Sequence, residues 1–483
     1  MRRTSPPLRR ALAVTGVAAL LAAGGCGDAA AGGGDAVVVN VGYQSKTINT
    51  VTAGTLLRAR GTFEAKLAEL GRAEGVTYRV EWHDFASGPP LTAEMLAGKI
   101  DIGSMGDYPV LVNGAKTAEH EDVRSELVAV TGYNPRGSLN QVVVPVGSPA
   151  RTLADLRGKV VSTSVGSAAH GMLVAALRGA GLDPGELRVL NQEPPVGASA
   201  VEGGQADALA QFVPWPQSMI FSGKARLLYD GGQAELPTFH AVVARRSFGA
   251  ERPEVLRAFL EAQRETTDYL NGDALAAAVR VAEATGVPAE VVYLYNGPNG
   301  LVRFDPVIKD ELVKALEQDL PFLKDLGSVK ELDLDAFVDH DPLRGVYGAG
   351  YEAARRDLSS PNPIRGEDPV CSGEVADPAK ASEVWFDGRD RTGVARTPAC
   401  LLKQIKSGGK VRAAYVPDAA TGTRVFAHTA TWVLDPEAAE DDRLLPFAID
   451  ADAGRYAGDH PGSRVLTYDA ALAAVSTEGR ATS

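Results

Sequence analysis

Short polar turns, rather than catalytic motifs, carry the chemistry that this sequence can perform. Each turn follows an apolar, strand-like run, and several lead directly into helices: residues 43–45, 86–88, 103–108 and 162–167. The free N–H groups and the dipole at a helix start bind a small anion without lysine or arginine. N-capping by Ser or Asp explains a single turn of this kind equally well. Four such turns, at strand ends in two successive series of strands and helices, favour a ligand-binding site over simple helix capping.

The sequence lacks the usual enzyme signatures. It contains no GxxxxGK[ST] loop, no HExxH pair and no GxSxG elbow. The letters GAGYEA at 348–353 imitate a dinucleotide fingerprint, but no strand precedes them and no βαβ unit follows. We therefore expect a protein without catalytic residues. An exported enzyme on the same fold is an alternative, and its reactive group would have to be His170.

Two β/α series must position these turns. Apolar runs at 36–42, 77–85, 100–103, 127–130 and 139–146 alternate with amphipathic stretches, and a second series runs from 156 to 212. Strands that alternate with helices predict a parallel-sheet α/β protein. Two series joined by an extended stretch predict two lobes around a cleft, and the helical period of 253–355 predicts helices that pack back on the first lobe.

Composition and charge exclude several classes of protein. The 483 residues are 45% hydrophobic, with a mean hydropathy of -0.07, which excludes a polytopic membrane protein. Lys and Arg number 49 against 61 Asp and Glu, a net charge of -12, and no basic run follows the first ten residues. A nucleic-acid partner is therefore not expected. The length suggests about two or three domains.

The N-terminus predicts export and anchoring. A basic start precedes an uncharged, Ala- and Gly-rich run at 11–25, which is too short to span a membrane. The letters LAAGGC that end at Cys26 resemble a bacterial lipobox, which implies cleavage before Cys26 and lipidation of its thiol. An ordinary export signal is the alternative. We therefore assign a signal peptide to 1–25 and a flexible tether to 26–35.

Three motifs point to a family. The segment ASGPPLTAEMLAGKIDIG at 86–103, the turn GSAAHGML at 166–173 and the loop FVPW at 212–215 resemble the nitrate/sulfonate/taurine class of ABC-transporter substrate-binding proteins. The resemblance spans about 37–354. It implies a type II periplasmic-binding-protein fold at 36–355, with lobe 1 at about 36–142 and 238–355 and lobe 2 at about 143–237.

The same resemblance implies the contacts to a small oxyanion such as a sulfonate, taurine or nitrate. The candidates are Gln44, Ser87, Asp107, Tyr108, Ser164, Ser167, Ala168, His170 and Trp215. Ser167 and Ala168 would offer backbone N–H groups, whereas Tyr108 and Trp215 would enclose the organic part of the solute. Asp107 would hold an ammonium group or simply cap a helix.

The tail differs from that family. A Pro-rich linker at 356–370 precedes a predicted small α+β domain at 371–480, which resembles the copper-binding NosL family. Strand-like runs in this domain lie at 382–386, 411–416 and 430–433, and short helices are predicted near residues 401 and 471. Cys371 and Cys400 would then be Cu(I) ligands, with His428 as a distant candidate, or a structural disulfide. The disulfide is favoured because the last methionine of the chain is Met219, so the tail has no thioether.

Together these features predict a non-catalytic, lipid-anchored solute receptor of an ABC importer. Its expected partners are the anionic solute, a membrane permease and the membrane itself. We expect a monomer outside the cytoplasm, with no cofactor unless the tail binds Cu(I). A metal-handling lipoprotein that acts through the NosL-like domain is the second alternative.

Overall fold

The computed structural model describes residues 36–475. The predictions for the signal peptide, Cys26 and the tether fall outside the described residues. Within the described range, no helix combines the length and the apolar character that crossing a membrane would require.

The strands alternate with helices along most of the chain. They are β1 (Val37–Tyr43), β2 (Tyr78–Asp84), β3 (Ile102–Gly106), β4 (Ser125–Asn134), β5 (Asn140–Pro145), β6 (Val160–Thr163), β7 (Arg188–Asn191), β8 (Ala208–Phe212), β9 (Ala225–Asp230), β10 (Thr238–Arg245), β11 (Arg303–Phe304), β12 (Ser382–Phe386), β13 (Gly393–Ala395), β14 (Val411–Pro417), β15 (Arg424–Phe426), β16 (Thr431–Leu434), β17 (Leu444–Phe447) and β18 (Arg464–Leu466).

The helices dominate between β10 and β12, where the helical period of the sequence predicted them. They are α1 (Thr55–Arg60), α2 (Thr62–Glu74), α3 (Gly88–Leu96), α4 (Asp107–Thr117), α5 (Ala168–Gly179), α6 (Pro194–Glu202), α7 (Trp215–Phe221), α8 (Arg246–Glu251), α9 (Pro253–Gly272), α10 (Ala274–Thr285), α11 (Ala289–Asn296), α12 (Asp310–Asp325), α13 (Leu334–Phe337), α14 (Asp341–Tyr347), α15 (Tyr351–Ala354), α16 (Pro398–Ser407), α17 (Asp450–Asp459) and α18 (Tyr468–Ala474).

Two sheets form the two lobes. The first has the order β11-β4-β10-β3-β1-β2, and the second has the order β7-β6-β8-β5-β9. Helices cover the sheets on apolar faces; for example, Phe63 of α2 meets Phe259 of α9 edge to face, with ring centroids 5.2 Å apart. The predicted α/β fold class with two lobes is confirmed.

The sheets are mixed rather than parallel, which corrects the expectation from the sequence. β1, β2 and β3 run parallel, as do β6, β7 and β8, but β10 is antiparallel to β3 and β4, and β5 is antiparallel to β8 and β9. The reason is that the chain passes twice between the lobes, through two segments that together form the hinge. β5 and β10 each arrive from the other lobe, so they start at the sheet edge where their neighbours end.

The chain crosses between the lobes twice, at residues 135–139 and 231–237. The first crossing lies a few residues before the boundary expected at 142/143, because β5 already belongs to the second sheet. As a result, the carboxyl ends of the parallel strands of both sheets face the space between the lobes.

The tail folds into two small antiparallel sheets, β13-β12-β14-β15 and β17-β16-β18, with α16, α17 and α18. The strand predicted at 382–386 is β12 with the same bounds. The strand predicted at 411–416 is β14, which ends one residue later. The strand predicted at 430–433 is β16, which starts and ends one residue later. Helix α17 and the shorter strands β13, β15, β17 and β18 were not predicted.

The tail, which we call the C-terminal domain (residues 371–475), contacts both lobes. Tyr293 of α11 donates a hydrogen bond to Glu383 Oε1 at 2.9 Å, and the Tyr415 hydroxyl donates to the Glu290 carbonyl at 3.0 Å. On the other lobe, the ring of Phe221 in α7 lies 5.0 Å from that of Phe426. The apolar residues of this junction belong to one buried cluster with α10 and α11.

Candidate functional site

The turns that follow the strands of one lobe contact those of the other lobe. We call this region of contact between the lobes the seam. The Ser87 hydroxyl, in the turn before α3, donates a hydrogen bond at 3.2 Å to Glu193 Oε1, in the turn before α6. A Cβ added to Gly166 would lie 3.6 Å from Pro89, and one added to Gly106 would lie 3.7 Å from the Ala168 Cβ. The predicted turns of the two lobes therefore do come together.

Tyr108 forms the tightest contact of the seam. Its ring lies so close to Gly171 of α5 that a Cβ at Gly171 would sit 1.4 Å from Tyr108 Cε2. Only glycine permits this approach between α4 and α5. Burial raises the pKa of the Tyr108 hydroxyl, so it stays protonated and can act as a hydrogen-bond donor.

Gln44 and Ser104 line the lobe 1 side of the seam. The Gln44 amide donates to the Ser104 carbonyl at 3.2 Å and accepts from the Thr47 hydroxyl at 3.3 Å, so it fixes the turn after β1. The Ser104 hydroxyl is buried and has no hydrogen-bond partner. Gln44 is thus occupied within the protein, whereas Ser104, which the sequence analysis did not single out, is free.

Asp107 connects α4 to the hinge. Its Oδ2 accepts hydrogen bonds from the Thr238 hydroxyl at 2.6 Å and from the Phe239 N–H at 3.2 Å. Burial raises the pKa of this carboxyl to about 6. Gly106, not Asp107, is the N-cap of α4. Asp107 therefore serves the hinge, and its carboxylate oxygens are already used within the protein.

On lobe 2, Ser164 and Ser167 make internal hydrogen bonds. The Ser164 hydroxyl donates to the Gln192 carbonyl at 2.9 Å and accepts from the Gln211 amide at 2.9 Å. Ser167 is the N-cap of α5, and its Oγ accepts from the His170 N–H at 3.3 Å. Both the capping interpretation and a free Ala168 N–H at the start of α5 are compatible with this geometry.

The His170 ring turns back on the lobe 2 turn, where its Nδ1 accepts from the Gly166 N–H at 3.4 Å, and Trp215 lies on another helix. His170 lines a shallow cavity with Arg178, Asp183 and Leu326, and burial lowers the pKa of its imidazole, so it is neutral at pH 7. Trp215 begins α7 and packs, partly buried, against the lobe 2 core. The structure therefore places these two residues at the edges of the seam.

Two further residues of the seam were missed by the sequence analysis. His240, on β10, is buried; its Nδ1 lies 2.6 Å from the Asn49 amide nitrogen, and burial lowers its pKa to about 3. As placed, Asn49 donates to Nδ1, so the proton sits on Nε2, which would lie 3.5 Å from a Cβ on Gly106. The neutral ring thus directs an N–H toward the seam.

Glu193 carries no N-cap signal in the sequence, because Ser, Thr, Asp and Asn are the usual N-cap residues. It is the N-cap of α6, and two prolines follow it in the first turn. Its Oε1 accepts from Ser87, whereas its Oε2 is buried and unpartnered. Glu193 is thus a carboxylate at the seam with one oxygen left for a donor.

Five of the buried side-chain atoms that have no partner within residues 36–475 belong to the strands and turns of the two lobes that border the seam. They are Asn49 Oδ1, Ser104 Oγ, Gln141 Nε2, Thr163 Oγ1 and Glu193 Oε2. Buried polar atoms are normally hydrogen-bonded, so a group of them indicates a ligand or water. Neither lysine nor arginine is in this group. The seam can therefore bind a small polar solute through hydroxyl, amide and helix N-terminal groups.

Comparison with known proteins shows what this part of the chain is similar to. Residues 90–274, less than half of the chain, match the family model described as NMT1/THI5 like. For this similarity we call the two-lobed part the NMT1/THI5-like domain. Strands β4 to β10, both hinge crossings and helices α4 to α9 lie within the matched residues.

Curated relatives of the NMT1/THI5-like domain are solute-binding proteins. The chain is 26% identical over 280 residues to an Escherichia coli (strain K12) protein described as aliphatic sulfonates-binding, covering 58% of this chain and 81% of that protein. It is 26% identical over 231 residues to the taurine-binding periplasmic protein of the same organism, covering 46% of this chain and 67% of that protein. The resemblance to sulfonate- and taurine-binding proteins that the sequence motifs indicated is confirmed.

Solved structures share the fold. The alkanesulfonate-binding protein SsuA from Xanthomonas axonopodis pv. citri, bound to MOPS, superposes with a TM-score of 0.52 at 23% identity, covering 64% of this chain and 99% of that chain. The periplasmic nitrate-binding protein NrtA from Synechocystis PCC 6803 gives 0.52 at 15% identity, covering 68% of this chain and 93% of that chain. Their periplasmic-binding fold is the fold of the NMT1/THI5-like domain.

In the C-terminal domain, Cys371 and Cys400 form a disulfide, with their Cα atoms 5.8 Å apart. The Asp368 carboxylate lies within 4.8 Å of both sulfurs, so the three groups have the spacing of metal ligands. The donor set does not fit Cu(I), because the sulfurs bond each other and Asp368 accepts from the Val370, Cys371 and Arg396 N–H groups. The NosL-like assignment itself stays a prediction.

Substitution of Gly171 by alanine tests the close contact between α4 and α5 at the seam. Gly171→Ala should destabilise the protein by about 1–3 kcal/mol and weaken solute binding, because the new methyl group overlaps the Tyr108 ring. Gly179→Ala, in the last turn of the same helix, meets no atom within 4 Å and is the matched control. Urea unfolding of both variants measures the effect, and equal stabilities would contradict the contact between α4 and α5.

Thiol titration tests the disulfide. The unfolded, non-reduced exported protein should show no reactive thiol from Cys371 or Cys400. The double variant Cys371→Ser/Cys400→Ser should be less stable by roughly 3 kcal/mol, because the crosslink no longer restricts the unfolded chain. Two reactive thiols in the non-reduced protein would eliminate the disulfide and would reopen the question of a metal site.

Proposed function

We propose that this chain is the solute-binding receptor of an ABC importer and binds a small oxyanion at the seam between its lobes. In this proposal Cys26 carries a lipid that anchors the protein outside the cytoplasm, where it acts as a monomer and delivers the solute to a membrane permease. No catalytic residue and no cofactor is required. The relatives described as binding aliphatic sulfonates and taurine support the receptor role.

The observation that carries the proposal is the set of unpartnered polar atoms at the seam. They come from both lobes: Ser104 and Asn49 from one, Gln141, Thr163 and Glu193 from the other. A solute that hydrogen-bonds to both groups would be bound only when the lobes are together. The ligand would thereby stabilise the closed arrangement, which is how a receptor signals that it is loaded.

The anion itself would be bound at helix N-termini. The starts of α3, α4 and α5 meet at the seam, and Ser87, Gly106 and Ser167 are their N-caps. Long-range attraction would not help, because the chain carries a net charge of -12. Affinity would instead come from N–H groups and helix dipoles in a site shielded from water.

Glu193 favours a solute that also carries a positive group. Its unpartnered Oε2 would repel a simple anion such as nitrate, but it would bind the ammonium group of an aminosulfonate. Asp107, to which the sequence analysis gave this role, is occupied by Thr238 and Phe239. We therefore place a zwitterionic sulfonate such as taurine first among the candidate solutes.

A thermal-shift screen followed by calorimetry tests the receptor role. One of taurine, methanesulfonate or nitrate should raise the melting temperature, since a ligand that binds only the native state stabilises it. Ser167→Leu should abolish this binding by filling the seam, at a cost of about 1 kcal/mol for the lost cap. Asp183→Leu removes an exposed cap elsewhere in lobe 2 and should bind normally. Unchanged binding by Ser167→Leu would exclude the seam as the site.

Replacement of Glu193 tests whether the protein prefers a zwitterionic solute. Glu193→Gln should weaken taurine at least tenfold relative to the unaltered protein, while methanesulfonate, which has no ammonium group, should bind as well or better. Titration calorimetry with both solutes measures the two changes. Parallel losses for both solutes would mean that Glu193 only supports the turn, and the receptor role would stand without a preference for aminosulfonates.

A further inference from the structure

A small cavity lies where the hinge, the linker and the C-terminal domain meet. Its volume is about 210 Å³, below the roughly 300–1,000 Å³ of sites for drug-sized ligands, so it suits a small occupant. Its walls come from the first crossing, from the loop between α11 and β11, from the linker and from the loop between β14 and β15. The cavity therefore joins the hinge to the tail of the chain.

The charged residues in these walls are all positive. Arg136, Arg303 and Arg424 line the cavity, whereas no aspartate or glutamate of the described part of the chain does. This contrasts with the whole chain, in which 61 acidic residues outnumber 49 basic ones. Guanidinium groups without acids between them attract an anion, because each presents several N–H donors to an oxyanion.

Arg303 keeps its charge available for a ligand. Arg424 is buried and forms an ion pair with Glu383, so the protein itself neutralises that guanidinium. Arg303, by contrast, donates to the Leu358 carbonyl and lies beside the Tyr133 hydroxyl, and both of these groups are uncharged. Its positive charge is therefore solvated by neutral oxygens alone, and an anion in the cavity would stabilise it.

Arg136 also has a donor without an acceptor. Its Nε is buried and has no hydrogen-bond partner, while its Nη2 lies 3.4 Å from Glu235 Oε1. The Glu235 side chain is 73% exposed, so this ion pair is weak and leaves most of the guanidinium charge uncompensated. A buried N–H group without an acceptor is costly, and an oxygen atom beside it would remove that cost.

Asp230 lies behind the wall of the cavity rather than in it. Its Oδ2 accepts hydrogen bonds from the Ser138 hydroxyl at 3.2 Å and from the Thr423 hydroxyl at 3.1 Å, and these two residues do line the cavity. The two hydroxyl groups thus satisfy the Asp230 carboxylate within the protein. Arg136 and Arg303 remain the charged groups that face an occupant.

We propose that this cavity binds a tetrahedral inorganic oxyanion, sulfate or phosphate, between Arg136 and Arg303. The two arginines belong to different segments, the first crossing and β11, and the four oxygens of such an anion can accept from both. The site is separate from the solute seam, because no residue predicted to bind the solute lines it. A bound anion would connect the hinge to the linker and to the C-terminal domain. No covalent step is involved.

Titration calorimetry of the whole exported protein tests the site with sodium sulfate and with sodium phosphate, each in a chloride buffer of constant ionic strength. At least one of the two anions should bind, and the comparison identifies which. Arg303→Gln should weaken that anion at least tenfold, because it removes the unpaired charge. Arg356→Gln removes an exposed arginine of the linker that does not line the cavity and should leave the affinity unchanged.

A second pair of variants leaves both arginines in place. Ala379 is an exposed residue of the cavity wall. Ala379→Glu places a carboxylate beside the arginines and should weaken the anion at least tenfold, because like charges repel. Ala379→Gln, which adds a side chain of the same size without the charge, is the matched control and should bind more tightly than Ala379→Glu. This pair decides the question even if Arg303→Gln fails to fold.

The variant Ser167→Leu, which fills the seam, separates this site from the solute site. It should bind the inorganic anion as tightly as the unaltered protein does, because Ser167 does not line the cavity. Absence of binding by both anions, equal binding by Ala379→Glu and Ala379→Gln, or loss of binding by folded Ser167→Leu would each overturn the proposal. None of these results would affect the receptor role, which is measured with taurine and methanesulfonate.

Discussion

The double crossing between the two sheets is the constraint on which the rest of the structure depends. Because the chain passes from one sheet to the other twice at the same edge, the strands before each crossing must end there, and β5 and β10 must start there. Strand ends and helix starts of both lobes therefore face one another. The polar backbone groups that collect at this edge need partners, and that need is the physical origin of a solute site.

The C-terminal domain is attached at this same edge. Asp230, at the end of β9, is buried, and its Oδ2 accepts from the Ser138 hydroxyl at 3.2 Å and from the Thr423 hydroxyl at 3.1 Å. The Asp230 carboxylate, directly before the second crossing, thus contacts Ser138 in the first crossing and Thr423 in the C-terminal domain. Burial raises the pKa of Asp230, which measures the cost of placing a charge there. Any change in the angle between the lobes must alter these hydrogen bonds.

Much of the fold could be predicted because it depends on local patterns. The run at 382–386 ends in three apolar residues and forms β12 with the predicted bounds, and the motifs at 86–103 and 166–173 indicated the resemblance to solute-binding proteins. The direction of β5 and β10 could not be predicted from alternation, because a strand has the same period whichever way it runs. Direction follows from the crossings, and these depend on contacts between residues far apart in the chain.

The candidate site was predicted in position but not in every role. Turn chemistry located Ser87 and Ser167, because a serine before a helix is a local signal. It could not show that both oxygens of Asp107 accept hydrogen bonds while Glu193 keeps one oxygen unpartnered, since Thr238 and Phe239, which reach Asp107, are far from it in the sequence. His240 was not found because nothing in its local sequence indicates that burial keeps it neutral and that Asn49 orients its ring.

Two buried carboxylates near one another, Asp107 and Asp319, make the stability of the interlobe region depend on pH. Asp107 accepts hydrogen bonds from three donors and Asp319 accepts one from the Tyr108 hydroxyl, so the burial of Asp319 is the less fully compensated. Both folded-state pKa values lie above the 3.8 of an unfolded aspartate, so each acid destabilises the folded protein increasingly as pH rises from 3.8 to its folded-state pKa, about 6 for Asp107 and about 8 for Asp319. Such a cost persists only if something offsets it. For Asp107 the offset is its set of hydrogen bonds at the hinge, and for Asp319 it is the hydrogen bond from the Tyr108 hydroxyl, which holds α4 and α12 together.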